Sequence, residues 1–487
     1  MNQTTLDSAR CANAMNKIIQ ILFINKKHVA CLFFSVICCT NVLAQSTINI
    51  EPIEETNTQT EEEISLSEAE QEFESSDEQG QVSLDESFGP MTSGEIVRAK
   101  RKKALQDTKV EVQLRSYFLN RDRFDGSESE ALALGGMVGI KTGYFRDRFA
   151  FGATAFTSQR LYGPKDKDGT DLLAPNQQGY SVIGEVYGQY LFMDGITLDF
   201  GRKGFNTAFI NESDTRMTPN TFQAAVLLGQ LGGNNGSATW RFGGGYFDKM
   251  KEKTSEKFIS MAKAAGAMDG VERGVYAGGA NFKTTLSNGE WSFGAIDYYS
   301  PDILNIFYTE TKYTFPVANN TFLQLSAQYI AQKSTGDNLQ FGTPFSANQI
   351  GLKAELAIAD ALITTSWNGN GNDGDLQSPW GGIPSYNSVQ VQDFNYAGAD
   401  SFLLRAGYQF KSLPGLSAYA LWVNGSQPNN LNLYAEDEYD FNVQWLVGNG
   451  IFKGLSMRVR YALVTQENGG DNLNDFRIIF NYDPPSR

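Results

Sequence analysis

From about residue 108 to 483 the sequence alternates with a period of two. In SMRVRYALV (456–464), Met457, Val459, Tyr461 and Leu463 alternate with Arg458, Arg460, Ala462 and Val464. Strand geometry sends successive side chains to opposite faces. One face is then apolar, and the other opens with two guanidinium groups. The same pattern recurs in VEVQLRSYF (110–118), where Val110, Val112, Leu114 and Phe118 oppose Glu111, Gln113, Arg115 and Tyr117. ITLDFG (196–201) sets Ile196, Leu198 and Phe200 against Thr197 and Asp199. FLLRAGYQF (402–410) sets Phe402, Leu404, Ala406, Tyr408 and Phe410 against Arg405 and Gln409. FRIIFNY (476–482) sets Phe476, Ile478, Phe480 and Tyr482 against Arg477 and Asn481. Gly, Asn and Asp separate these segments, and no apolar run is long enough for a membrane helix.

Two architectures carry such alternation. A soluble sandwich buries its apolar face, whereas a membrane barrel turns that face to lipid and lines its lumen with polar groups. The N-terminus favours the barrel. Lys26 and Lys27 precede an apolar run from Val29 to Cys39, followed by Val42-Leu43-Ala44. That is the order of a secretory signal, with cleavage expected before Gln45 and either Met1 or Met15 as the start. Aromatics at segment ends (Tyr117, Phe118, Tyr144, Phe145, Trp291, Tyr298, Tyr299, Trp422 and Tyr482) suit interfacial girdles. About 375 residues, at roughly 20 per strand and loop, imply some 16–20 strands. A barrel of that size holds an aqueous channel.

Cys11, Cys31, Cys38, Cys39 and the sole histidine, His28, all fall within the signal. The mature chain is therefore expected to lack Ser-His-Asp and Cys chemistry, disulfides and the usual zinc and haem sites. No cofactor or metal is expected. The run NGNDGD (370–375) resembles a calcium loop only loosely, lacks its distal bidentate Glu and reads as a plain glycine-rich loop. Residues 45–90 hold fourteen acids and no Lys or Arg, so they are expected to be disordered. A basic cluster, Arg98, Lys100, Arg101, Lys102 and Lys103, follows. From residue 91 onward, 36 Lys and Arg stand against 40 Asp and Glu. The acidic balance thus belongs to one segment, and nothing argues for nucleic acid.

Several longer stretches resemble the OprD-type outer-membrane porins. LRSYFLNRDRF (114–124) is similar to their opening strand and turn. FNTAFINESDTRMTPNTFQA (205–224) resembles their inward-folded third loop. NIFYTETKYTFPV (305–317) resembles a mid-barrel strand, and NSVQVQDFNYAGADSFLLRAGYQF (387–410) a later loop and strand. GLSMRVRYALVTQENGGDNLNDFRIIFNY (454–482) resembles the closing hairpin. The matches lie in order. The resemblance implies an all-β, 18-stranded transmembrane barrel with a constriction loop, monomeric, with a trimer as the alternative. It implies passive, selective diffusion of small solutes, often carboxylates, amino acids or peptides and sometimes oligosaccharides. It also implies an arginine track along one lumen wall facing an acidic pocket.

By matching positions, the track would comprise Arg115, Arg121, Arg216, Arg405, Arg458, Arg460 and Arg477. Ser388 and Asp393 would form the acidic side. Residues 205–224 would form the constriction, including Phe205, Asn206, Phe209, Asp214, Arg216 and Pro219. Parity supports part of this, because arginine on a lipid face costs roughly 2–4 kcal/mol at the midplane. Val459 and Tyr461 take the lipid side, so Arg458 and Arg460 take the lumen. The competing reading has each arginine merely neutralising a lumen acid such as Glu111 or Asp199.

The domain expectation is signal 1–44, periplasmic extension 45–107, barrel 108–483 and tail 484–487. The extension, and the ending Asp-Pro-Pro-Ser-Arg after Tyr482, depart from the family pattern. An outer-membrane enzyme and a purely structural barrel are the rival classes. No nucleophile–base pair supports the enzyme, and the absent His removes the commonest base; bilayer conductance separates a channel from a structural barrel.

Overall fold

The computed structural model describes residues 107–233 and 238–484. The expected signal, the acidic segment, the basic cluster and residues 485–487 lie outside the described residues. Within them, eighteen long strands and one short strand follow one another. The first seven are β1 (Lys109–Asp122), β2 (Glu128–Lys141), β3 (Phe149–Tyr162), β4 (Tyr180–Met193), β5 (Ile196–Lys203), β6 (Thr221–Gly232) and β7 (Thr239–Lys251). The short strand β8 (Phe258–Ser260) pairs only with the end of β7 and leads into a one-turn helix, α1 (Met261–Ala264). The run then continues as β9 (Val275–Leu286), β10 (Gly289–Ser300), β11 (Leu304–Ala318), β12 (Thr321–Ser334), β13 (Ser346–Ile358) and β14 (Ala361–Asn370). It ends with β15 (Asp400–Gln409), β16 (Leu416–Gly425), β17 (Glu436–Leu446), β18 (Leu455–Gln466) and β19 (Leu473–Tyr482).

Each long strand pairs antiparallel with its neighbours, and β9 pairs directly with β7. The circle closes between β1 and β19, from Leu114 opposite Tyr482 to Asp122 opposite Asn474. Closure leaves no free edge among the eighteen long strands, which a hydrocarbon solvent requires because it offers no hydrogen bonds. Residues 205–224 are not all loop. Pairing of Lys203 with Phe222 and of Phe222 with Met250 starts β6 at Thr221, so the connection is 204–220.

The period of two becomes the inside–outside division of the wall. Leu114, Phe200, Leu404 and Val459 lie exposed on the outer face, where lipid would cover them. Arg115, Asp199, Arg405 and Arg460 lie buried on the inner face. Two aromatics assigned to a girdle belong inside instead. Tyr117 is 1% exposed and Tyr298 0%. Each sits on the lumen parity of its strand, and the Tyr298 hydroxyl is held by a loop within the barrel. Position near a segment end did not outweigh parity.

The two ends of the cylinder differ. At the end holding the start of β1 and the finish of β19, connections such as 194–195, 287–288, 319–320 and 359–360 are tight turns. At the other end the connections 163–179, 204–220, 252–274 and 371–399 are long. Their apolar residues have no lipid to meet and form a core inside the barrel. Phe205, Phe209, Ile210, Met261, Trp380 and Ile383 join inward-facing Tyr298, Ile306 and Tyr308 there.

Candidate functional site

The register sets the arginines of the wall into a ladder. Arg460 on β18 lies directly opposite Arg477 on β19, and Arg477 lies opposite Leu119 on β1. Arg458 lies two residues toward the chain-terminal end, opposite Ile479, and Arg115 lies lower still, opposite Asn481. Arg121, opposite Asp475, stands two residues toward the long loops. Arg405 on β15 occupies the same upper level, through Leu421, Asp440 and Ala462. Each two-residue step advances about 7 Å along a strand. The wall arginines therefore span roughly 20 Å and are carried by four strands, β15, β18, β19 and β1.

Their contacts differ. Arg121 and Arg477 share the Asp475 carboxylate, at 2.6 and 2.5 Å. The Arg458 Nε donates to Asn442 (2.6 Å), and an Arg460 Nη donates to the Tyr419 hydroxyl (3.3 Å). Arg405 stacks over the Tyr419 ring, 4.2 Å from its centroid. Arg115 grips both oxygens of Asp214 at 2.7 Å, a bidentate fork. Asp475 thus meets Arg121 and Arg477, and Asp214 meets Arg115. Glu111 is exposed, and Asp199 accepts from Gln189 and pairs with Lys203.

The connection 204–220 lies within the barrel. Phe209 N–H donates to the Tyr298 hydroxyl (3.1 Å), which donates to Thr207 (2.8 Å). The Phe209 ring meets Tyr298 and Tyr308 edge-on, and Phe205 meets Phe247 likewise. Asn206 and Glu212 clasp each other, amide to carboxylate (2.9 Å) and backbone N–H to amide oxygen (3.1 Å). Burial pushes the Glu212 carboxyl up to about 7. Arg216 donates to the carbonyls of Thr170 and Thr215, and its own carbonyl accepts from Arg115 of the ladder (2.6 Å). The Pro219 carbonyl accepts from Lys251 (2.8 Å).

The connection 371–399 also enters the lumen. Asn211 and Gly382 exchange two hydrogen bonds, at 2.9 and 2.8 Å, so the two loops join. The turn at 390–392 is gripped by wall carboxylates. Glu438 accepts from Val391 N–H and Gln392 N–H, each at 2.8 Å, and Asp440 accepts from Gln390 N–H (3.1 Å). The Gln390 amide donates to Asp475 (2.8 Å), and Arg477 donates to the Gln390 carbonyl (2.9 Å). Ser388 donates to Asp393 (2.6 Å), whose carboxyl is pushed up by burial against the pull of that bond and of Lys253. Tyr386 donates to Glu310 (2.9 Å), tying the loop to the opposite wall.

Some of these partners were within reach of the sequence. Asp475 shares the parity of Arg477, and Glu438 and Asp440 share a face in EYDF. Tyr386 and Lys253 lie in connections without periodicity, so no local pattern marks them.

Eighteen antiparallel strands closed on themselves, apolar outside and charged within, define a transmembrane β-barrel of channel size. Residues 102–485 match the family described as outer membrane porin, OprD family, and the chain belongs to it. It is similar to Porin D of Pseudomonas aeruginosa, with 25% identity over 427 residues, covering 79% of this chain and 92% of that protein. Its fold is similar to that of P. aeruginosa OccK9 (OpdG), with a TM-score of 0.69 at 20% identity, covering 78% of this chain and 99% of the other. Acinetobacter baumannii OccAB3 gives 0.68 at 18% identity, covering 78% and 100%. P. aeruginosa OpdK, crystallised with vanillate, gives 0.67 at 17% identity, covering 78% and 99%. The chain is accordingly an outer-membrane channel protein of the Gram-negative type.

Proposed function

We propose that this porin passes small hydrophilic solutes bearing a carboxylate, such as amino acids, short peptides or organic acids, by passive diffusion along its arginine ladder. The observation that carries this reading is the in-register pair Arg460 and Arg477, flanked by Arg458 below and by Arg121 and Arg405 above. A row of cations in a narrow aqueous tube attracts anions, and planar guanidinium forks orient a carboxylate. Shared partners such as Asp475 and Tyr419 keep each contact weak, so the solute leaves one level for the next. Residues 204–220 serve as the constriction, and Ser388 with Asp393 as the polar wall facing the track. The channel works as a monomer. The end with short turns faces the periplasm, together with the 45–107 extension left after cleavage of the signal.

The test is flux through reconstituted protein. Arg458→Ala with Arg460→Ala is expected to lower carboxylate uptake in proteoliposome swelling by about tenfold, the scale of one lost charge-assisted contact. Uptake of an uncharged sugar of equal size should hold. Unchanged uptake of every tested carboxylate, vanillate included, removes the proposed path but not the fold.

A further inference from the structure

Lys253 lies in the 252–257 stretch between β7 and β8, outside every alternating segment. It is half-buried, and its position is set by its backbone. The Lys253 carbonyl accepts from the Tyr180 hydroxyl (2.9 Å) and the Thr218 hydroxyl (2.6 Å). Its ammonium donates to the Thr215 hydroxyl at 3.3 Å, at the inner edge of the 204–220 loop. Charged groups face it from each element packed around it. Arg216 comes from the 204–220 loop, Asp171 from the 163–179 connection, Arg477 from β19 and Asp393 from the 371–399 loop. Asp393 responds to Lys253 in turn. Glu256 reaches β4, where it accepts from Ser181 N–H (3.2 Å), and Asp214 acts on Tyr180 of the same strand.

Lys253 thus stands where the wall ladder, the 204–220 loop and the Ser388–Asp393 side meet. We propose that Lys253 is a specificity-determining residue of the channel, supplying a removable positive charge between the arginine ladder and Asp393. This inference rests on the reading of the lumen as an anion path. Every cation named on the ladder is an arginine, and a guanidinium stays charged at any pH the barrel meets. An ammonium does not. Burial, with Arg216 and Arg477 repelling it, brings the Lys253 ammonium down to about 8. Below that pH the charge is present and adds to the ladder. Above it, Asp393 faces the ladder without a neighbouring cation, and the constriction becomes less anion-selective.

The side chain can be changed without disturbing the clasp, because Tyr180 and Thr218 bind its carbonyl. The experiment compares the full-length protein with Lys253→Gln, Lys253→Met and Lys253→Arg in planar bilayers. Chloride-to-potassium permeability is read from reversal potentials, and block of the chloride current by vanillate is read alongside. In the unmodified channel the permeability ratio is expected to fall about twofold between about pH 7 and about pH 9.5. Lys253→Gln and Lys253→Met should hold the low value throughout, and Lys253→Arg the high value. Glu212 and Lys251, whose ammonium shares the Thr218 hydroxyl with the Lys253 carbonyl, are present in all four proteins, so the reading is the difference between each variant and the unmodified channel at each pH. A Lys253→Arg channel that titrates like the unmodified one, or a Lys253→Gln channel indistinguishable from it, overturns the assignment. Absence of vanillate block in every protein counts against the carboxylate path alone, since the small-ion ratio still decides Lys253.

Discussion

At the residue scale, the lumen is built from charges that hold one another. Asp475 sits between Arg121 and Arg477, and Asp214 fills the fork of Arg115. Burying such groups singly would cost several kcal/mol. Shared partners make the interior tolerable while leaving a graded row of cations. Glu212 behaves differently, because it is partly buried in the loop and meets Asn206 rather than a cation within hydrogen-bonding distance. Its folded-state value, about 7, lies above its ordinary 4.5. The protonated form is therefore favoured in the clasp. Its stabilising advantage is complete below the ordinary value and fades as pH rises through the folded one. The cost to the 204–220 loop above neutrality is on the order of 3 kcal/mol at most. Open-channel current noise should thus increase from about pH 5.5 to about pH 7.5 as the loop loosens. Glu212→Gln is expected to flatten that dependence, and a Gln variant that keeps the full rise would clear Glu212 of the effect.

At the element scale, β18 shows what strand parity decides. Arg458 and Arg460 face charges and loops, while Val459 between them faces outward, 38% exposed. Exchanging the chemistry of neighbouring positions should therefore have unequal effects. Val459→Arg is expected to destabilise the folded barrel by roughly 2–4 kcal/mol, because a guanidinium would meet hydrocarbon. Arg458→Val should leave folding nearly unaffected, because the lumen end of Asn442 can take water instead. The measurement is the folded fraction across a urea titration in detergent or lipid, followed by heat-modifiable migration. Equal loss for both variants would show that the two faces of β18 are not lipid and lumen. Close approach of strands also leaves its mark. Gly136 on β2 has φ +135°, and a Cβ there would lie 1.9 Å from the Gln113 carbonyl of β1. Only glycine admits that contact.

At the scale of the whole molecule, closure between β1 and β19 leaves both described ends of the chain at the rim with the short turns. Removing residues 46–90 is expected to leave single-channel conductance unchanged within error, measured in bilayers at high and low salt. A changed open-state current would assign the segment a role in the pore. Low salt sharpens the comparison, because fourteen carboxylates near a mouth would act over about 30 Å at 0.01 M.

The sequence alone determined the strands, their inner and outer faces, and the closed barrel. Alternation is local, and a strand reports its two environments residue by residue. It also led to the family, through stretches that include both inward loops. Tertiary structure alone decided which charges meet. Asp475 came between Arg121 and Arg477 because β1 closes on β19, and Asp214 reached Arg115 because 204–220 folds inward. The same folding brings Lys253 beside Thr215 and within electrostatic reach of Asp393, whereas strand parity, legible in the sequence, takes Tyr117 and Tyr298 from the girdle. Contacts within the lumen join residues as far apart as 99 positions (Arg115 and Asp214) and 354 positions (Arg121 and Asp475), and no local periodicity records which side chains a closing wall will bring face to face.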